Sequence, residues 1–533
     1  MRKFTLVASL LLTAMTTFAD SKFGNWTLNG SENVMTNGVY SLAAGSNTVA
    51  YAESLSSQIS ITSDGSQVVA SYGAGYTTLA KYGATSWTKN IAGTIASVIA
   101  DNEGGVYVAG SFAKTLTLGD KKINGYDDSD GGKCSTFFAH FDKDGNVTAL
   151  NSVVPSIDQE LKDMDQYGYY SKVQCNPEQI LNVDGKLYAA LNFTSVITNA
   201  DKSESLTAGS YTGYGCVSTQ TLAIVTLNSN LGVDKFLYVL SGPKRASLGA
   251  DIQSSKFAIA DGFLYVVSQV SGYDYQGLFG QVENQKAYTF NLGTQVNYGT
   301  AKGYVLSKIN LQDNSLQVNP YVGEYDWANE CNEQRNIQSV YSVGDNLAVV
   351  GDFTGKNSFD LTKSSVGGSD VFVALIGKSD FAVKSFVQDG IDEGKKTDTN
   401  YWVNNCTAST LSDGKLYIAG VSGVSEAYSS TRYLKDKALY VVNIDKGTIE
   451  NVKAGEFVTG LASGSKANQI YISSFEGGKT DLNFGLYTST ATGISSAKAD
   501  KVQDSKIYNL QGQRLAAPVK GQINIVNGKK VIF

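Results

Sequence analysis

One phrase returns seven times along this chain, and it limits the fold more than any other feature: a tight acidic or glycine turn followed by a strand of alternating apolar residues. Its clearest copy is ADNEGGVYVAGSF, from Ala100 to Phe112. The others are GSQVVASY from Gly65, GKLYAALNF from Gly185, GFLYVVSQV from Gly262, GDNLAVVGDF from Gly344, GKLYIAGVS from Gly414 and NQIYISSF from Asn468. Alternation with a period of two is the mark of a half-buried strand, and recurrence along a chain has to be weighed before any local reading.

Each copy is preceded by another short strand candidate. The middle copies are followed by two more apolar runs, as in TFFAHF then VTALNSV, or DVFVALI then VKSFV. Four antiparallel strands per unit, lettered A to D, predict an all-β fold: a β-propeller of about seven four-stranded blades, with six or eight compatible with the irregular spacing. An open sheet of so many strands would expose long edges, whereas a ring of blades keeps them short. The A–B and C–D turns are short, for example DKDGN at Asp142 to Asn146. Insertions collect in the B–C and D–A connections, which emerge on the opposite face. The chain should therefore have one plain face and one carrying long loops, where binding residues tend to sit. The last repeat lacks a fourth strand, and the segment from Thr48 to Glu53 is expected to supply it and close the ring.

The two ends read differently. Arg2 and Lys3, an apolar run from Phe4 to Met15 and small residues ending at Ala19 have the form of a secretory signal peptide. This divides the chain into a signal peptide over 1–19, a propeller over 20–490, a linker over 491–504 and a C-terminal β tail over 505–533. No other run approaches the ~20 apolar residues of a membrane helix. With 43 Lys and Arg against 49 Asp and Glu, the net charge of −6 gives no footprint for nucleic acid. A protein secreted or held at the outer cell surface is expected.

Asp101, Gly104, Val106 to Gly110 and Phe112, with Phe141 to Asn146 after them, resemble the secreted β-propeller repeat family. The tail, in Ile507 to Leu510, Gly512, Lys520-Gly521, Ile525-Val526 and Gly528 to Val531, resembles the C-terminal sorting domain of type IX secretion substrates. The resemblance implies secretion machinery as a partner of the tail. The tail departs from that pattern at Gln522, where an aromatic or aliphatic residue is usual.

No catalytic motif stands in a fitting context, and no cofactor or metal site is expected. The single histidine, His140, reads as a packed or surface imidazole, and Asp142, Asp144 and Asn146 as a turn rather than a calcium loop. Three D–A connections carry aromatic residues just before a cysteine. Tyr167 and Tyr170 precede Cys175, Tyr325 and Trp327 precede Cys331, and Tyr401 and Trp402 precede Cys406. Their flat faces suit stacking on sugars or grasping a peptide, which makes these six the expected ligand contacts at the long-loop face. The same residues could instead wedge blades together. Cys134, Cys175, Cys216, Cys331 and Cys406 are the candidates for disulfides, and their odd number leaves at least one thiol unpaired within a monomer. The expected role is a binding module for a glycan, protein or peptide. The alternatives are a glycan hydrolase or lyase using carboxylates, and a structural surface component.

Overall fold

A computed structural model describes residues 22–36, 49–51, 57–73, 75–127, 135–168, 170, 173–212, 216–245, 250–273, 277–282, 288–291, 300–322, 335–366, 369–390, 400–426, 432–476 and 481–489 of one compact unit. Residues 507–508, 514–515, 523–526 and 529–532 are described in a second unit. The first unit is a seven-bladed β-propeller, each blade an antiparallel sheet of four strands. The seven phrases form the B strands: Gln67–Gly73, Val106–Phe112, Lys186–Phe193, Phe263–Tyr273, Asn346–Phe353, Lys415–Glu426 and Gln469–Phe475. The A strands, innermost in each blade, are Ser57–Ile61, Thr94–Ala100, Cys175–Val183, Ala250–Ala260, Arg335–Val343, Asn400–Ser412 and Phe457–Ser463. The second unit is a small sheet in which Ile507–Tyr508 and Ile523–Val526 lie between Arg514–Leu515 and Lys529–Ile532.

Turn chemistry explains why the phrase folds as it does. At Asp184-Gly185, Asp261-Gly262 and Asp413-Gly414 both turn residues have positive φ, the geometry that two-residue hairpins need to match strand twist. In blade 2, Asp101 Oδ1 accepts from the backbone N–H groups of Glu103 and Gly105, both at 2.7 Å. Asp142 Oδ1 does the same for Asp144 and Asn146 at 2.9 and 2.8 Å, so this acidic stretch is an Asx-type turn.

The B strands form the middle of each sheet, and their alternate residues pack against the neighbouring blade on either side. Among the described residues an apolar cluster fills every seam between blades. The glycine of YVAGSF has a steric cause. A Cβ on Gly110 would lie 2.2 Å from the carbonyl oxygen of Thr94 and 2.5 Å from the Phe137 ring, which packs over it from strand C. Gly351 of blade 5 repeats the arrangement, with Asn336 O at 2.0 Å and Phe372 at 2.9 Å.

Ring closure corrects the expectation from sequence. An N-terminal strand does complete blade 7, but it is Thr27–Thr36, paired with Asp481–Thr488. The segment expected to do so contributes Val49–Tyr51, which instead pairs with Arg432–Leu434 of blade 6. Thr27–Thr36 reads as a turn because of Asn29-Gly30-Ser31-Glu32-Asn33. The structure absorbs that cluster as a register shift between Asn29 and Asn33, with Gly30 at φ +82°. Residues just before the strand anchor it. Phe23 is fully buried and edge-on to Tyr487, with ring centres 5.0 Å apart, and Trp26 is edge-on to Tyr417 at 5.6 Å. Lys22 Nζ reaches Glu32 at 2.6 Å and Glu456 at 2.9 Å, and the Tyr487 hydroxyl donates to Glu32. Burial disfavours the Lys22 ammonium, but the two carboxylates outweigh it and hold its pKa above the ordinary value.

Candidate functional site

Six of the seven A strands carry a register shift at one equivalent point: between Ile95 and Ser97, Pro177 and Gln179, Ile252 and Ser254, Ile337 and Ser339, Cys406 and Ala408, and Val458 and Gly460. The A strand of blade 1 begins at that point, at Ser57. A bulge re-aims the side chains beside it. Here the extra residues Ala96, Glu178, Gln338 and Thr407 all line the central channel.

Side chains around these bulges tie neighbouring blades together. Ser97 Oγ accepts from Ile180 N at 3.3 Å, and Gln179 donates to Phe257 O at 3.0 Å and accepts from Phe257 N at 2.8 Å. Ser254 Oγ accepts from Ile337 N at 3.3 Å. Gln338 donates to Thr407 O at 3.3 Å, Thr407 to Val458 O at 2.9 Å and Ser57 to Thr459 Oγ1 at 3.0 Å. Several backbone groups on the free edges of the inner strands are thus satisfied by the adjoining blade.

The channel encloses about 930 Å³. Hydroxyl and amide groups dominate its polar lining, with aliphatic patches between them. Glu178 and Lys256 are the only charged residues on its wall among those described, and they face each other. Lys256 Nζ donates to Glu178 O at 2.9 Å and approaches its carboxylate at 3.4 Å.

The long-loop face is uneven. Long B–C connections run from Phe112 to Ser135, Phe193 to Thr221, Tyr273 to Thr300 and Phe353 to Asp370 in blades 2 to 5, and the hairpin of blade 6 is itself extended. The blade 4 insertion returns to the outer edge of blade 3, where Phe279–Val282 pairs with Tyr238–Ser241. Over blade 1 only Ala74 and Gly75 join strands B and C, and only Ala92 and Gly93 lead on to blade 2. Beside blade 1 the channel has a side arm. Among the described residues, blade 1 is the one blade to contribute B- and C-strand residues to the wall, Ala70, Tyr72 and Thr77, at the end nearest the long-loop face.

The aromatic residues expected to bind ligand are not presented alike. Tyr167 follows the short helix Gln159–Met164 and is 71% exposed. Tyr170 is half-buried; its hydroxyl accepts from Asp158 N at 3.0 Å and bonds Ser195 Oγ at 2.7 Å, anchoring the connection to blade 3. Burial raises its pKa. Tyr401 and Trp402 do not lie in a connection as expected: they belong to strand A of blade 6, in register with Ser425 and Val424. Tyr325 and Trp327 lie outside the described residues, as do Cys134 and Cys331, the signal segment and the linker. Cys175, Cys216 and Cys406 are buried free thiols, and burial pushes the Cys175 thiol up to about 12.

His140 has a structural role that the sequence did not reveal. Its Nε2 meets Asp101 Oδ2 at 2.7 Å, its Nδ1 meets Thr148 Oγ1 at 2.5 Å, and its ring stacks on Tyr107 at 4.4 Å. It thereby ties the A–B turn of blade 2 to the outer strands, on the plain face. Among the described residues no group of three or more His, Cys, Asp or Glu is placed to hold a metal, and no helix is long and apolar enough to cross a membrane.

No protein-family model matches this chain, and no curated protein matches it. Solved structures do. The GH93 alpha-L-arabinofuranosidase of Fusarium graminearum, solved with arabinobiose, is similar over 85% of this chain and 97% of its own, at 8% identity and a TM-score of 0.34. The WD40 domain of SCAP from fission yeast is similar over 88% and 98%, at 9% identity and a TM-score of 0.30. Domains 1-2 of Drosophila Semaphorin 1a match over 80% and 93%, at 10% identity and a TM-score of 0.28.

Proposed function

We propose that this chain is a secreted or cell-surface binding module, taking a glycan or peptide ligand on its long-loop face. The observation that carries this reading is the segregation of the long B–C connections of blades 2 to 5 to one face, around a channel of about 930 Å³. The hydrolase alternative calls for two cooperating carboxylates. A single carboxylate on the described wall, held against Lys256, supports binding instead. Screening the secreted chain against glycan and peptide arrays tests the reading. Unchanged binding of every ligand found when Trp327→Ala and Trp402→Ala are combined would remove the aromatic loops from the site.

The tail is proposed to be an export signal of the type IX kind. The separation of residues 490–533 as their own unit supports this, as does the sorting-domain pattern of its sequence. Removing 505–533 in a host with that pathway should leave the propeller inside the outer membrane. Unaltered appearance at the surface or in the medium would refute the assignment.

A further inference from the structure

The geometry points to the channel and its side arm, rather than the aromatic loops, as the place where ligand is held, and to an uncharged oligosaccharide end as the ligand. This rests on the binding reading above and narrows it to one site and one class.

Three observations support it. The first is shape. The connections Ala74-Gly75 and Ala92-Gly93 beside blade 1 are each two residues long. Between blades 1 and 2 the described wall extends outwards past Tyr72, Thr77 and Thr94, which gives the channel a recess for a chain end.

The second is charge. Glu178 and Lys256 neutralise one another, so the described wall has no net charge. An ionic ligand would lose its hydration without gaining a free counter-charge.

The third is the kind of hydrogen bond on offer. An extended peptide docks by adding to a free strand edge. Here part of the inner edge is already occupied, because Ile180 N, Phe257 N, Ile337 N and the carbonyls of Thr407 and Val458 are bonded to side chains of the preceding blade. The wall also offers side-chain hydroxyls and amides, such as Gln58, Ser60, Thr94 and Thr410, beside the aliphatic patches of Ile59, Ile95 and Leu461. Alternating hydroxyl partners and C–H faces match a neutral sugar.

The test is titration calorimetry on the full chain. The probes are neutral gluco-, manno-, xylo- and galacto-oligosaccharides, beside uronate-bearing and sialylated ones. Ser60→Trp and Thr94→Trp fill the channel and its arm. Each should weaken a neutral ligand by about tenfold or more, close to 1.4 kcal/mol. Hydroxyl-radical footprinting of the unaltered protein provides a readout that needs no variant, with ligand expected to protect Tyr72 and Ile95. Normal binding by both filled variants, or no protection at Tyr72 and Ile95, overturns the channel as the site. If Trp327→Ala and Trp402→Ala abolish binding in that case, the broader binding reading stands. Binding of acidic oligosaccharides alone, or of none of the panel, overturns the ligand class, and a peptide ligand from the arrays would then keep the broader reading.

Discussion

The seam between blades 3 and 4 and the seam between blades 7 and 1 come from the same repeat, yet they are held differently. The first buries sixteen apolar side chains, among them Tyr238, Phe257, Leu264 and Val305. A hairpin from blade 4 also pairs with the outer edge of blade 3. Among the described residues the second buries five, Met35, Val69, Ala80, Leu482 and Phe484. Burying one large apolar side chain contributes about 1.5–3 kcal/mol, so the difference is substantial. Polar links compensate in part at the thin seam, where Ser57 meets Thr459 and Gln67 meets the Tyr471 hydroxyl at 3.3 Å. Among the described residues the ring is thus packed more heavily between blades 3 and 4 than where blade 7 meets blade 1.

The comparison can be broken most directly by deleting residues 22–36. Blade 7 then loses its outer strand, and Phe23 and Trp26 leave the seam with blade 6. Thermal unfolding should fall by more than ~5 kcal/mol in stability, and blade 7 should lose hydrogen-exchange protection before blades 3 and 4. Protection lost evenly around the ring would contradict the weak-seam account.

Glu456→Ala should cost about 2–4 kcal/mol, since the buried carboxylate serves Lys22, Ser474 and Asn483. The same change to exposed Glu160, paired with Arg245 at the long-loop face, should cost well under about 1 kcal/mol. Urea titrations of both variants test this, and equal losses would contradict it. Lys22 adds a pH term. Its raised pKa means that its contribution is complete below about 10.5 and is lost as pH rises through the higher folded value.

Gly110→Val forces a side chain against Thr94 O and Phe137, so a loss of about 1–3 kcal/mol is expected by calorimetry. Gly262→Val meets open space but has φ +78°, so its cost would come from backbone strain alone.

The smallest effect is expected at the seam between blades 5 and 6. Asp352 is buried, and its carboxylate accepts from Cys406 N at 3.0 Å. Burial drives its pKa up to about 7, with the bonds from Cys406 and Asn336 only partly opposing. A carboxyl that holds its proton more tightly when folded makes stability fall as pH rises from about 4 to 7. Asp352→Asn should flatten that slope and add about 1 kcal/mol at pH 8. Asn192 holds the equivalent place in blade 3, where its amide donates to Ile252 O at 3.1 Å. An unchanged slope in melting curves from pH 4 to 8 would rule the carboxyl out as its source.

The fold was legible because its signals are local. Asp-Gly turns and alternating apolar residues declare each hairpin wherever it stands, and the count of phrases is the count of blades. The closing strand escaped because Asn29 to Asn33 carries turn residues in a segment whose partner lies far along the chain. Alternation also hid the bulges, since TIASVI looks regular until paired with a neighbour. The candidate site was half legible. Loop lengths showed which face to inspect, but Tyr170 and His140 are spoken for by partners distant in sequence. The side arm at blade 1 arises from residues that are missing rather than present, and no motif marks a short connection.

The recurrent bulge adds to the inner strand a position that borders the lumen. Ala96, Glu178, Gln338 and Thr407 all stand there, and Gln338 and Thr407 also bond to the adjoining blade. Four units therefore carry a variable dial at the lumen. Methyl, carboxylate, amide and hydroxyl already occupy these dials in four blades, so duplicated copies can diverge in what they present to the interior while the hairpins that carry them stay interchangeable.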